Sequence, residues 1–341
     1  MVPSGNKNRL TELSDISLGK LTAAAVGASA DGRYQLQGEL GRGGMGVVYQ
    51  GRDILLDRAI AIKVVHDTTG ASHTALTAAL EAEAKILAGL DHSGIVPVLD
   101  AGVLSDGRWF YVMKLVEGLT FDELVAGDSD LDQRLSVLER VADTVGMAHD
   151  RGIVHRDLSP ANIMTGSHGE VTVMDWGLAE YLTRSTRGGV VGFNQDRHSG
   201  LKAGRRRGGT VGFASPEQRQ GCEPDPSADV YALGALLVFA ITKLRPGPGD
   251  SAESLLNRYP GVPNRLKAIA SKCLSGVPAD RYSTAGEVAG EIRRWRTGGQ
   301  VLAYREGLGE RVVRLFTTHR TAIVLVAAYL VMRTLIALSQ K

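Results

Sequence analysis

VHRDLSPANIM (154–164), then a short polar turn, then VTVMDWG (171–177): the reading of this chain turns on these two runs. They place three oxygen-bearing side chains at fixed offsets, Asp157, Asn162 and Asp175. Moving a phosphoryl group asks little covalent chemistry of a protein. It asks for a carboxylate to receive the proton of an attacking hydroxyl, and for oxygen ligands that hold Mg²⁺ against the phosphates. Asp157 suits the first task, and Asn162 with Asp175 the second. A loop followed by a hairpin can gather all three at one spot.

At these residues the chain resembles the eukaryotic-like protein kinase family, whose H-R-D-x-x-x-x-N and D-F-G signatures appear as HRDLSPAN and DWG. The resemblance covers about 34–297 and implies an α+β, bilobal protein-kinase-like fold of bacterial Ser/Thr type. A small β-rich lobe is expected over 34–115 and a larger helical lobe over 116–297, with ATP and Mg²⁺ (or Mn²⁺) between them. The chemistry implied is transfer of the γ-phosphoryl of ATP to protein hydroxyls, this chain's own in trans included.

Working toward the N-terminus, LGRGGMGV (40–47) contains G-x-G-x-x-G at Gly41, Gly43 and Gly46. A turn free of side chains lets backbone N–H groups approach phosphates. Dinucleotide folds spell the motif the same way but require a helix directly after it. Here Val47, Val48 and Tyr49 continue as strand and IAIKVV (60–65) follows as another. The resemblance therefore assigns ATP contacts to Leu40, Gly41, Arg42, Gly43, Gly44, Met45, Gly46, Val48, Ala61, Lys63, Met113 and Met164. A lysine on an apolar strand must find an anion, because burying an unpaired ammonium is prohibitive. In the family that lysine, here Lys63, contacts phosphates and a helix glutamate. In the helical run 74–90, Leu80, Ala84 and Leu87 form an apolar stripe. Glu83 lies beside it and is selected by the resemblance as well; Glu81 is the competing acid.

Further resemblances mark the helical lobe. FYVMKLVEG (110–118) looks like the segment joining the lobes, with Lys114 where the family usually has Glu. His155 is implied to pack under the aromatic of the DFG-type motif, here Trp176. Arg156 beside the base can pair with a phosphorylated activation segment. Ser159 replaces the usual lysine, which puts rate and hydroxyl preference in question. The activation segment runs from Asp175 to Glu217 and ends GTVGFASPE, with Thr210 expected near the substrate hydroxyl. It holds an internal repeat, RGGVVGF (187–193) and RGGTVGF (207–213), and Thr183, Ser185, Thr186 and Ser199 as candidate autophosphorylation sites. Asp229 matches the aspartate that ties down the HRD backbone, and Arg281 the partner of Glu217.

Composition sets outer limits. The 341 residues carry a net charge of +2, too little to argue for nucleic acid. Basic residues gather locally, seven against one acid from 184 to 207 and seven arginines against two acids from 293 to 320. Cys222 and Cys273 lie far apart, so neither a zinc site nor a disulfide framework is indicated. Residues 1–33 read as disordered and carry no signal sequence. An Arg-rich juxtamembrane segment is expected over 298–320. It precedes the apolar run 321–338, expected as a single transmembrane helix in the cell membrane. Its eighteen residues lie near the lower limit for a span. Arg305, Arg311, Arg314 and Arg320 would keep the kinase side cytoplasmic. Three rivals remain. A small-molecule phosphotransferase should lack the Ser-Pro-Glu platform. A pseudokinase scaffold would have lost Lys63, Asp157 or Asp175. A membrane-tethered binding module would need none of these groups.

Overall fold

The computed structural model describes residues 32–67, 70–181, 209–246, 252–307, 309–311 and 320–339. Residues 1–31, the candidate phosphosites Thr183, Ser185, Thr186 and Ser199, and the whole basic run 184–207 lie outside them.

Alternation along two strands builds the small lobe. Strands β1 (Tyr34–Arg42), β2 (Gly46–Asp53), β3 (Arg58–Val65), β4 (Val98–Val103) and β5 (Trp109–Lys114) form an antiparallel sheet in the order β1-β2-β3-β5-β4. Successive side chains of a strand point to opposite faces. Ile60, Ile62 and Val64 of β3 therefore join Phe110 and Val112 of β5 in one cluster. Ala61, Val65, Tyr111 and Met113 belong to the other face, which is continuous with the main core. Lys63 sits between Ala61 and Val65 on that second face, in register with Tyr111. The helix α1 (Ala71–Gly89) packs there, burying Leu80, Ala84 and Leu87 as the stripe requires.

The helical lobe is organised by two long helices. Leu131–Asp150 starts at a capping box, Asp130 with Gln133, and buries Leu135, Leu138, Val141, Ala142, Val145 and Ala148. Pro226–Thr242 is apolar on nearly every side and buried almost throughout, so it forms the centre of the lobe. Between them in sequence, short strands Ile163–Thr165 and Val171–Val173 pair as a hairpin, with Ile163 opposite Val173.

Packing continues past 297. Val301 is fully buried, and the Glu291 carboxylate accepts the Leu302 N–H at 2.9 Å. The segment expected as juxtamembrane thus begins inside the folded lobe.

The apolar C-terminal run does form a helix, Arg320–Ser339, with Val324, Leu325, Leu330 and Val331 exposed. Among the described residues, however, no helix is long and apolar enough to cross a membrane. The transmembrane helix expected over 321–338 is not supported in that form; Arg333 lies within the run, where a charge opposes burial in lipid.

Candidate functional site

Lys63 meets its anion inside the cleft. Its Nζ lies 2.7 and 2.8 Å from the two oxygens of Glu83, which is 2% exposed. Tyr111 donates its hydroxyl to the same carboxylate at 2.9 Å, and Lys63 reaches Asp175 at 3.4 Å. Burial works against the lysine charge, but Glu83 and Asp175 overcome it and hold the ammonium above its ordinary pKa. Glu81 turns outward to Lys85 instead. Of the two acids, Glu83 is the one brought to Lys63.

The catalytic-loop residues converge with them. The Asn162 amide donates to the Asp157 carbonyl at 2.8 Å, which turns its own oxygen the other way. The Met174 N–H bonds the Asn162 carbonyl at 2.7 Å, so the hairpin delivers Asp175 beside Asn162. Asp175 itself has φ of 55° and a half-exposed carboxylate. Gly177, two residues on, leaves room for the two carboxylates. A Cβ there would stand 3.1 Å from Asp175 and 3.3 Å from Glu83. Two side-chain oxygens of this kind suit a hard cation that draws its other ligands from phosphates and water. Among the described residues no cluster of three or more His, Cys, Asp or Glu side chains could hold a metal alone.

Asp157 is held by the end of the activation segment. One of its oxygens accepts both the backbone N–H and the hydroxyl of Thr210. Burial pushes its carboxyl above the ordinary range, against the pull of the Thr210 bonds, and the nearby Asp175 charge adds to the rise.

Beneath the loop, Asp229 accepts the N–H groups of His155 and Arg156 at 2.8 Å each, and His149 Nε2 lies 2.8 Å away. Burial alone would raise the Asp229 carboxyl, yet these partners hold it below its usual value. The His155 ring packs 4.5 Å from that of Trp176, as expected. Arg281 forks onto Glu217 at 2.5 and 3.0 Å with its side chain fully buried. Ser159, at the position where the family usually has lysine, is buried and carries no charge.

The nucleotide side is laid out by sheet register. Val48 pairs with Lys63, and Ala61 with Met113. Met113 is buried and Met164 half-buried, whereas Leu40, Gly41, Arg42, Gly43 and Gly44 are exposed and Met45 half-buried at the β1–β2 turn. At Gly46 a Cβ would stand 2.1 Å from the Val64 carbonyl oxygen, so that position admits no side chain.

Four contacts had no clear sequence signal. Tyr111 looked like one more apolar strand residue. His66 follows the lysine strand, and its Nε2 lies 2.6 Å from the Gly43 carbonyl oxygen in the glycine turn. Gln218 donates to the Arg156 carbonyl at 2.7 Å. Glu180 pairs with the Arg156 side chain.

Comparison with known proteins agrees with this geometry. The family model described as protein kinase domain matches residues 34–289. A probable serine/threonine-protein kinase PknB of Lactococcus lactis is 31% identical over 275 residues, 76% of this chain and 41% of that protein. Serine/threonine-protein kinase PrkC of Bacillus subtilis is 31% identical over 282 residues, 79% of this chain and 41% of that protein. Serine/threonine-protein kinase PknL of Mycobacterium tuberculosis is 32% identical over 275 residues, with 76% and 64% covered. The chain thus spans about two fifths of the length of the first two relatives.

Proposed function

The chain belongs to the protein kinase family, and on that premise we propose that it is an active serine/threonine kinase that transfers the γ-phosphoryl of ATP to protein substrates. The observation that carries this reading is the double hydrogen bond from Thr210 to Asp157. It fixes the proton acceptor to the segment against which a peptide hydroxyl would lie. Asp157 receives the hydroxyl proton as the oxygen attacks phosphorus. Lys63, held by Glu83, orients the phosphates, and the glycine turn covers them with backbone N–H groups. Asn162 and Asp175 would hold Mg²⁺, which when bound neutralises charge on the phosphates. With Ser159 in the catalytic loop, Lys63, which reaches Asp175 at 3.4 Å, is the cation that the site offers to the phosphates.

Phosphoamino-acid analysis after incubation with ATP and Mg²⁺ tests the reading. Phosphoserine and phosphothreonine are expected on the chain or on a generic basic protein. Modification of small molecules alone would favour a small-molecule phosphotransferase instead.

We also propose that the helix Arg320–Ser339 attaches the kinase to a membrane surface. Its exposed apolar side chains and the arginines preceding it support this. Deleting 321–341 is expected to release the protein from the membrane fraction. A deleted chain that stays there contradicts the proposal.

A further inference from the structure

Arg156 is the residue through which three segments meet at the base. It adopts φ of 70°, a strained conformation for a side chain of its size. Its N–H is bound by Asp229 of the central helix, and its carbonyl by Gln218, just beyond the activation segment. The side chain is only 8% exposed, and a guanidinium so placed requires an anion. Glu180 supplies one, accepting from Arg156 Nη1. The acid is delivered by backbone pairing. Strand Glu180–Tyr181 runs antiparallel to Ile153–Val154, with Glu180 opposite Val154.

We propose that Glu180 is a positioning residue that takes, at Arg156, the place of an activating phosphoryl group, so that the catalytic loop is set for transfer without phosphorylation of the activation segment. This rests on the kinase reading and concerns how that same site is regulated. A phosphoryl group brings a charge of about −1.5 to −2 and typically orders a segment by pairing with arginine. Here a carboxylate already provides the negative partner, and it comes from the chain five residues after Asp175. A phosphoryl group arriving at Arg156 meets Glu180 as a like charge. To displace it, the group must break a charge-assisted bond together with the short strand pairing that presents it. Assembly around Asp157 is therefore a property of the unmodified chain.

The test compares four full-length chains in ATP·Mg²⁺-dependent phosphorylation of a generic basic protein. They are the wild type before and after phosphatase treatment, a variant with Thr183, Ser185, Thr186 and Ser199 all replaced by Ala, Glu180→Gln, and Glu180→Asp. The dephosphorylated wild type and the fourfold alanine variant are expected to keep activity within about twofold, whereas Glu180→Gln should lose about tenfold or more in kcat with KM for ATP little changed. Glu180→Asp, which keeps the charge, should recover most of that loss. A purely structural role would not produce this kcat-selective effect and its rescue. The proposal is overturned if dephosphorylation or the fourfold substitution silences an otherwise active enzyme. It is overturned equally if Glu180→Gln matches the wild type. The wild type and the fourfold alanine variant retain Glu180, so they decide the question whatever the fate of the Glu180 variants. A wild type that transfers no phosphoryl group at all fails the kinase reading itself, which is a different result.

Discussion

Thr210 donates its backbone N–H at 2.9 Å and its hydroxyl at 2.8 Å to the same oxygen of Asp157. The other oxygen of that carboxylate faces the Asn162 amide at 3.4 Å. The Asp157 carboxylate is thus oriented from two directions, by the activation segment and by the catalytic loop. Any shift of Thr210 is felt at the atom that must take a proton.

This has a consequence for pH. Burial raises the Asp157 carboxyl and the Thr210 bonds lower it, with burial prevailing. The acid limb of kcat/KM should therefore lie above the value of about 3.9 for an ordinary aspartate, since the base works only when ionised. Thr210→Val removes the hydroxyl bond that favours the charged form. The limb should then move to higher pH in the kcat/KM profile. A limb that stays or moves lower contradicts the role given to Thr210.

Tyr111→Phe keeps the ring and deletes one donor to Glu83. A hydrogen bond to a charged group is worth about 1.5–3 kcal/mol, so KM for ATP should rise by roughly 10-fold or more as Glu83 loses its hold on Lys63. Combined with Glu83→Gln the effect should be far from additive, because both changes act on one cluster. Additive effects in steady-state kinetics would separate Tyr111 from the Lys63–Glu83 pair.

Arg281 and Glu217 close the segment that carries Thr210. Arg281→Met leaves the Glu217 carboxylate without its partner and should cost about 3–5 kcal/mol in urea unfolding. Arg281→Lys should rescue little of it, since an ammonium cannot reproduce the fork onto both oxygens. Near-wild-type stability in the Met variant would show the pair to be dispensable.

The lobe boundary gives a further check. Val301 is fully buried and Glu291 accepts the N–H groups of Leu302 and Ala303. Val301→Ala in the full chain should destabilise by about 1–3 kcal/mol, as expected for a buried aliphatic side chain. An unchanged denaturation midpoint would mean that residues beyond 297 contribute nothing to the lobe.

Much of the site was legible before the fold was known, because its residues carry unusual chemistry in fixed spacing. Lys63 stands out on an apolar strand, and Glu83 beside an apolar helical stripe. Other contacts were hidden for specific reasons. The Tyr111 hydroxyl rides on a ring that alternation alone assigns to the core. Glu180 is a lone acid in a polar segment, and only strand pairing with Ile153–Val154 brings it to Arg156. Val301 lies in an Arg-rich stretch whose composition reads as a surface, so its burial depends on where Glu291 and Arg265 happen to face. The apolar run 321–338 was legible as a helix, whereas its expected span was not upheld among the described residues.

The most direct measurement is phosphoryl transfer from ATP·Mg²⁺ to a generic basic protein by the wild-type chain and by Asp157→Asn, with nucleotide binding measured alongside. The expected result is transfer by the wild type and a loss of about 10²–10⁴-fold in the variant, the range for removing a positioned general base, with nucleotide affinity retained. Equal rates from the two chains would contradict the assignment of Asp157. A wild type that binds nucleotide but transfers nothing would contradict the kinase activity.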